Sequence, residues 1–223
     1  MDGDLTGPTS GSRAVVDPKT GIASSGTVSV IDTATRQVTV EIDVDLHPSG
    51  MVASPDGSRL YVANANSDTV SVIDTGTAAV VRRLGAKPLP ELPFGSAPNA
   101  LAISPDGGTL YVANGGNNAI AVIDLEASDG MRAVRGLIPT GWYPSAVLLS
   151  GDGGSLFVAN TKGVGSRATR REHGYNSHDY MGTVSFIPTP SSDGLAQHTL
   201  KAAANMRLPS MLRAMDAAAF SVC

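Results

Sequence analysis

The segment richest in chemistry-bearing side chains runs from Lys162 to Tyr180. Lys162, Arg167, Arg170 and Arg171 are four cations within ten positions, and Gly163 and Gly165 leave backbone N–H groups open to a close approach. That combination suits an anion, either a phosphate or a carboxylate. His173, His178 and Asp179 add nitrogen and oxygen ligand types, but their spacing fits no recognised metal motif, and no metal site is assigned. The alternative is a solvated loop lying over one end of the fold. Trp142 and Tyr143, in Gly-Trp-Tyr-Pro, could line a pocket or pack at the start of a strand. His47, Ala97 and Tyr143 each precede a proline, and this variable position could face a central channel. No Ser/His/Asp or Cys/His set stands out, so no catalytic residue is assigned.

Other carboxylates have a structural reading. Asp56, Asp106 and Asp152 sit in Ser-(Pro/Gly)-Asp-Gly turns, where Asp bonds local backbone and Gly accepts a positive φ. Asp32, Asp74 and Asp124 follow apolar runs and are expected to bind loop backbone.

These residues belong to a repeat. Met51-Val-Ala-Ser-Pro-Asp-Gly-Ser-Arg-Leu-Tyr-Val-Ala-Asn64 returns at Leu101–Asn114 and Val147–Asn160, at offsets of 50 and 46 residues. A second motif keeps step: Thr27–Asp32, Thr69–Asp74, Ala119–Asp124 and Thr183–Pro188. Each unit reads as four short antiparallel strands: one into Ser54-Pro-Asp-Gly57, then 59–63, 69–73 and 79–84. Asn64, a residue type that tolerates the left-handed conformation, is expected to open the next turn. The strands are apolar on both faces, as a sheet between two other sheets requires. This pattern predicts an all-β fold, a β-propeller of four-stranded antiparallel blades.

Residues 26–44 supply the last two strands of one blade. Residues 48–85 and 97–137 form two complete blades, and 143–187 another whose second turn expands into the insertion 161–181. That makes about three and a half blades within 26–188. Residues 1–25 form an N-terminal segment, and 189–223 a helical tail or linker, expected to be truncated. In the tail, Leu195, Thr199, Leu200 and Ala203 fall at helical spacing after Ser192-Asp193, and Met211–Met215 starts another short helix after Pro209. A partial ring leaves open edges, so self-association through them is expected.

Composition limits the function classes. The formal net charge is -4, so nothing global suggests a nucleic-acid partner, which would call for a basic face, and none is expected. A single cysteine, Cys223, excludes an intrachain disulfide, a cysteine-based zinc site and covalent haem attachment. No cofactor is expected. No stretch reaches the length of a bilayer span, and Met1-Asp-Gly-Asp4 lacks the basic and apolar start of a secretory signal.

Tyr-Val-Ala-Asn with Ser-Pro-Asp-Gly and Thr-Val-Ser-Val-Ile-Asp resembles the YVTN-type (YncE-like) bacterial β-propeller repeat across residues 26–187. A narrower likeness covers Gly141-Trp-Tyr-Pro-Ser-Ala-Val147, Val158–Ser166, Asn176-Ser-His-Asp179 and Gly182–Pro188. This looks like the propeller half of two-part bacterial proteins that also carry an alkaline-phosphatase-like phosphoesterase domain. In that family the metal ligands and nucleophile belong to the second domain, and no segment here matches it. The resemblance implies a non-catalytic binding or scaffolding module, a protein partner or neighbouring domain, and a periplasmic or extracellular location.

Overall fold

In the computed structural model, residues 5–9, 12–16, 25–165 and 181–220 are described, without the side chains of 5–16 and 216–220. Fifteen strands are followed by two helices. The strands are β1 (Leu5–Thr9), β2 (Ser12–Val16), β3 (Gly26–Asp32), β4 (Gln37–Val44), β5 (Pro48–Ala53), β6 (Arg59–Asn64), β7 (Thr69–Asp74) and β8 (Ala79–Gly85). They continue as β9 (Pro98–Ile103), β10 (Thr109–Asn114), β11 (Ala119–Asp124), β12 (Val134–Pro139), β13 (Pro144–Leu149), β14 (Ser155–Asn160) and β15 (Thr183–Pro188). The helices are α1 (Ser192–Asn205) and α2 (Leu208–Phe220).

Two sheets are complete antiparallel blades, β5-β6-β7-β8 and β9-β10-β11-β12. Before them lies the pair β3-β4, and after them the three-stranded sheet β13-β14-β15. The innermost strands β5, β9 and β13 lie side by side, and the fold is a partial β-propeller. The last sheet departs from the expected four strands. After Pro188 the chain turns into α1 instead of returning along β15.

Local chemistry explains the strand joints. The Ser54 carbonyl accepts the N–H of Gly57 at 2.9 Å, and Gly57 has φ +72°. Ser104/Gly107 and Ser150/Gly153 repeat this at 2.9 and 2.8 Å. The Asp56, Asp106 and Asp152 carboxylates each accept from a Ser hydroxyl and a backbone N–H within the turn. Those bonds hold the carboxyls below the usual carboxylate range, Asp56 down to about 2. Asp32, Asp74 and Asp124 bind loop backbone as expected.

Asn64 opens the next turn as expected, its carbonyl accepting the N–H of Ser67 at 3.2 Å, but its own backbone is not left-handed. It ends β6 fully buried, its Nδ2 donating to Ser71 Oγ at 3.0 Å. The left-handed residue of that turn is Asp68, φ +52°. The buried amide finds hydroxyl partners within the sheet while the backbone carbonyl serves the turn.

The core lies between sheets. Leu110 and Val112 face Ala63 and Val70 of the preceding blade; Leu156 and Val158 face Ala113 and Ile120. Val62 and Ile73 pack on Val28, Ile42 and Val44. Leu and Val at alternate positions of the second strand thus always point backward along the ring, with the Tyr/Phe and Ala pair pointing forward. Each fully buried Leu or Val contributes about 1.5–3 kcal/mol.

Helix α1 starts behind an N-cap at Ser191, one residue before the expected cap, and lies on β12. Its buried face is Leu195, Thr199 and Ala202, while Leu200, expected on that face, is exposed. Thr199 Oγ1 accepts the N–H of Leu137 at 2.9 Å, and a Cβ on Gly136 would fall 2.5 Å from that hydroxyl. The helix thereby covers a sheet edge that would otherwise be a free pairing template. No helix among the described residues is long and apolar enough to cross a membrane.

Candidate functional site

At one end of the blades the chain enters each inner strand through a non-glycine residue with positive φ: His47 (+56°), Ala97 (+50°) and Tyr143 (+55°). Such a backbone is costly for a bulky side chain and persists only where its surroundings hold it. Here they do. The carbonyls of His47, Ala97 and Tyr143 accept the N–H of Ala65, Gly115 and Thr161 at 2.9–3.0 Å. Asp68 Oδ1 accepts the N–H of Ala97, and Asn118 Oδ1 that of Tyr143, each at 2.9 Å. The short turn after the second strand of one blade therefore positions the start of the next. The residue after each proline continues the link. Ser49 Oγ donates to the Pro98 carbonyl at 3.1 Å, and Asn99 Nδ2 to the Pro144 carbonyl at 3.4 Å.

Of the six residues selected from the sequence, three are brought together. The Tyr143 ring lies against Gly115, where a Cβ would approach it to 3.1 Å. Lys162 Nζ lies 5.2 Å from the Tyr143 centroid, within cation–π range. Trp142 stacks beside Gly165, with Cε2 3.5 Å from that residue's Cβ position, and the backbones of Trp142 and Gly163 are hydrogen-bonded at 2.7 Å. Trp142 and Tyr143 pack at the start of β13 and remain 44% and 36% exposed, so the cluster also reaches the surface. Arg167, Arg170 and Arg171, with His173, His178 and Asp179, lie outside the described residues.

Sequence reasoning passed over the connection 86–97. Lys87 Nζ donates to the Pro90 and Leu92 carbonyls and sits 5.5 Å from the Phe94 ring, which is 76% exposed. Leu92, Phe94, Asn117, Asn118, Met206 and Met211 are among the residues that line a groove of about 320 Å³. The run of prolines at 88, 90 and 93 was the available signal, since it sets a rigid excursion between strands.

A second surface lies on the last sheet. Its forward face repeats the interior faces of the preceding blades: Phe157 matches Tyr61 and Tyr111, and Val184 matches Val70 and Ile120. Val70 and Ile120 are fully buried, whereas Val184 is 58%, Leu148 64% and Phe186 72% exposed. Phe157 and Phe186 meet edge to face, centroids 5.2 Å apart.

The blades and this repeated linkage define a β-propeller protein. The family model described as "Lactonase, 7-bladed beta-propeller" matches residues 48–172, and the chain belongs to that family. Among solved structures the chain is similar to hydrazine synthase of Kuenenia stuttgartiensis, with 32% identity and a TM-score of 0.54, over 73% of this chain and 40% of that one. The chain thus spans less than half of that relative's length. Among curated proteins none matches it.

Proposed function

We propose that this chain is a non-catalytic propeller segment of the YVTN (YncE-like) type that binds a protein partner, or a neighbouring domain of the same parent protein, through its uncovered last blade. The observation that carries this reading is the forward face of β13-β14-β15. Leu148, Val184 and Phe186 stand exposed where matching residues of the preceding blades are covered by the next blade. A contiguous apolar surface of this kind marks an interaction site. The Trp142, Tyr143 and Lys162 cluster adjoins this sheet and extends the contact with two aromatic side chains, a residue type enriched at interfaces, and with the charge of Lys162. Arg167, Arg170 and Arg171 belong to the same connection between β14 and β15 and supply charge for an acidic partner. The family resemblance supports a periplasmic or extracellular setting.

Hydrogen–deuterium exchange at two protein concentrations tests the reading. Segments 144–149 and 183–188 gain protection as the chain associates, while 59–64 and 109–114 do not change. Equal protection of all four segments overturns it.

The family's description favours a second reading, opening of a lactone ring. That reaction needs a water activated by a base or a metal. An assay with sugar lactones, with and without divalent metal, separates the two. Turnover that is abolished by substitutions in the Trp142, Tyr143 and Lys162 cluster supports the lactonase reading; no turnover supports the binding module.

A further inference from the structure

The strand β3 pairs with β4 alone among the described strands, so its inner edge is bare where β7 and β11 each carry a second-strand neighbour. We infer that the N-terminal hairpin β1–β2 is the inner half of this first blade and docks in register on β3, making the chain's first blade four-stranded.

Three observations converge on this. First, Gly11-Ser-Arg-Ala-Val-Val16 matches Gly57-Ser-Arg-Leu-Tyr-Val62, the turn glycine and second strand of the next blade. Second, the hairpin's register is that of every other first hairpin. Its pairs Gly7↔Ala14, Thr6↔Val15 and Leu5↔Val16 become Ala53↔Leu60, Val52↔Tyr61 and Met51↔Val62 on a displacement of 46 residues along both strands. Ile103↔Leu110 and Leu149↔Leu156 occupy the place of Gly7↔Ala14 in the later blades. A shift of one residue would exchange the two faces of both strands, so shared register is a specific sign of a shared role. Third, order along the chain agrees. The hairpin immediately precedes β3, and the longer connection between β2 and β3 falls at the joint that also carries the long connection between β14 and β15.

The docked register follows from β6 and β7, where Val62 pairs with Ser71 and Arg59 with Asp74. Transferred to the first blade, this sets Val16 opposite Ser29 and Arg13 opposite Asp32. The second pairing fits the chemistry already present. Asp74 uses Oδ1 for its own turn and Oδ2 for an ion pair with Arg59. Asp32 likewise serves its turn through Oδ1, accepting from Ala34 and Thr35, and the docked register sets Arg13 opposite it as Arg59 stands opposite Asp74. The chain then comprises three four-stranded blades and one of three strands.

An engineered disulfide in the full chain, with Cys223→Ser throughout, tests this register. Val16→Cys with Ser29→Cys should close to an intramolecular disulfide under mild oxidation, because directly opposed strand positions meet the Cα separation a disulfide needs. Val16→Cys with Val30→Cys, one position out, should stay reduced. Backbone exchange supplies a second readout that requires no cysteine: deleting residues 1–16 should speed amide exchange of 27–31 about tenfold or more and leave 69–73 unchanged. Oxidation of neither pair, or of both alike, overturns the proposal, as does unchanged exchange of 27–31 after the deletion.

Discussion

The Asp68 carboxylate accepts the backbone N–H of Ala97 at 2.9 Å through Oδ1, while its Oδ2 accepts that of Gly95 at the same distance. Asp68 is 1% exposed and belongs to one blade; Ala97 begins the next. Asn118 and Tyr143 repeat the relationship one blade later. A single acceptor on each turn thus fixes the angle at which the following blade starts. Gly182 takes the matching place before β15, and a glycine cannot supply that acceptor.

Removing this acceptor should loosen two blades together. Asp68→Ala leaves two backbone N–H groups unpaired and should cost about 1–3 kcal/mol, read as a lower denaturant midpoint. Asn118→Ala, which loses one bond, should cost less. Equal stability of both variants with the parent would show that the left-handed starts at Ala97 and Tyr143 hold without these acceptors.

The turn carboxylates set an acid limit. Asp56, Asp106 and Asp152 are held below 3.8 by Ser hydroxyl bonds first and backbone N–H bonds second. A carboxylate whose folded pKa is lowered stabilises the fold above its unfolded pKa and loses that contribution as pH falls through the folded one. Stability should therefore be flat from neutral pH to about 5 and decline from about 4 towards 2. A thermal midpoint followed across that range checks it, and Asp56→Asn should make the decline shallower.

Helix α1 depends on a missing side chain. Gly136→Val places atoms where Thr199 and Leu195 now lie. The variant should release α1 from β12, seen as faster amide exchange over 192–205 with the blade strands still protected. Thr199→Val, which removes the acceptor for Leu137 and the hydroxyl's own bond to the Leu195 carbonyl but adds no bulk, should produce a smaller effect in the same segment.

Much of the blade architecture was legible because one constraint repeats. A sheet buried on both faces needs Leu-Tyr-Val-Ala and Thr-Val-Ser-Val-Ile, and a tight joint needs Ser-Pro-Asp-Gly. These local requirements read directly from residue types. That Asn64 opens a turn was legible, but its burial was not: asparagine also suits a buried amide position, and only the hydroxyls of Thr69 and Ser71 across the strand supply its partners. The missing fourth strand of the last blade was hidden for a related reason. Residues 189–205 follow β15 in the same order as any outer strand, and the Ser191 cap with a small-residue face redirects them on to β12. Of the candidate site, Trp142, Tyr143 and Lys162 were selected by type and position, and the fold sets them near one another. Asp68 and Asn118 were not, because an acidic or amide residue before a strand looks like an ordinary turn until its partner in the next blade is known.

The central claim is that the forward face of the last blade is a binding surface, which a second copy of the chain occupies when no other partner is present. Sedimentation velocity over a hundredfold range of concentration compares the parent chain with Leu148→Asp/Phe186→Asp. The parent should associate as concentration rises, and the variant should remain monomeric with an unchanged thermal midpoint, since both side chains are exposed in the single chain. A parent that stays monomeric throughout, or a variant that associates as strongly as the parent, would contradict the account.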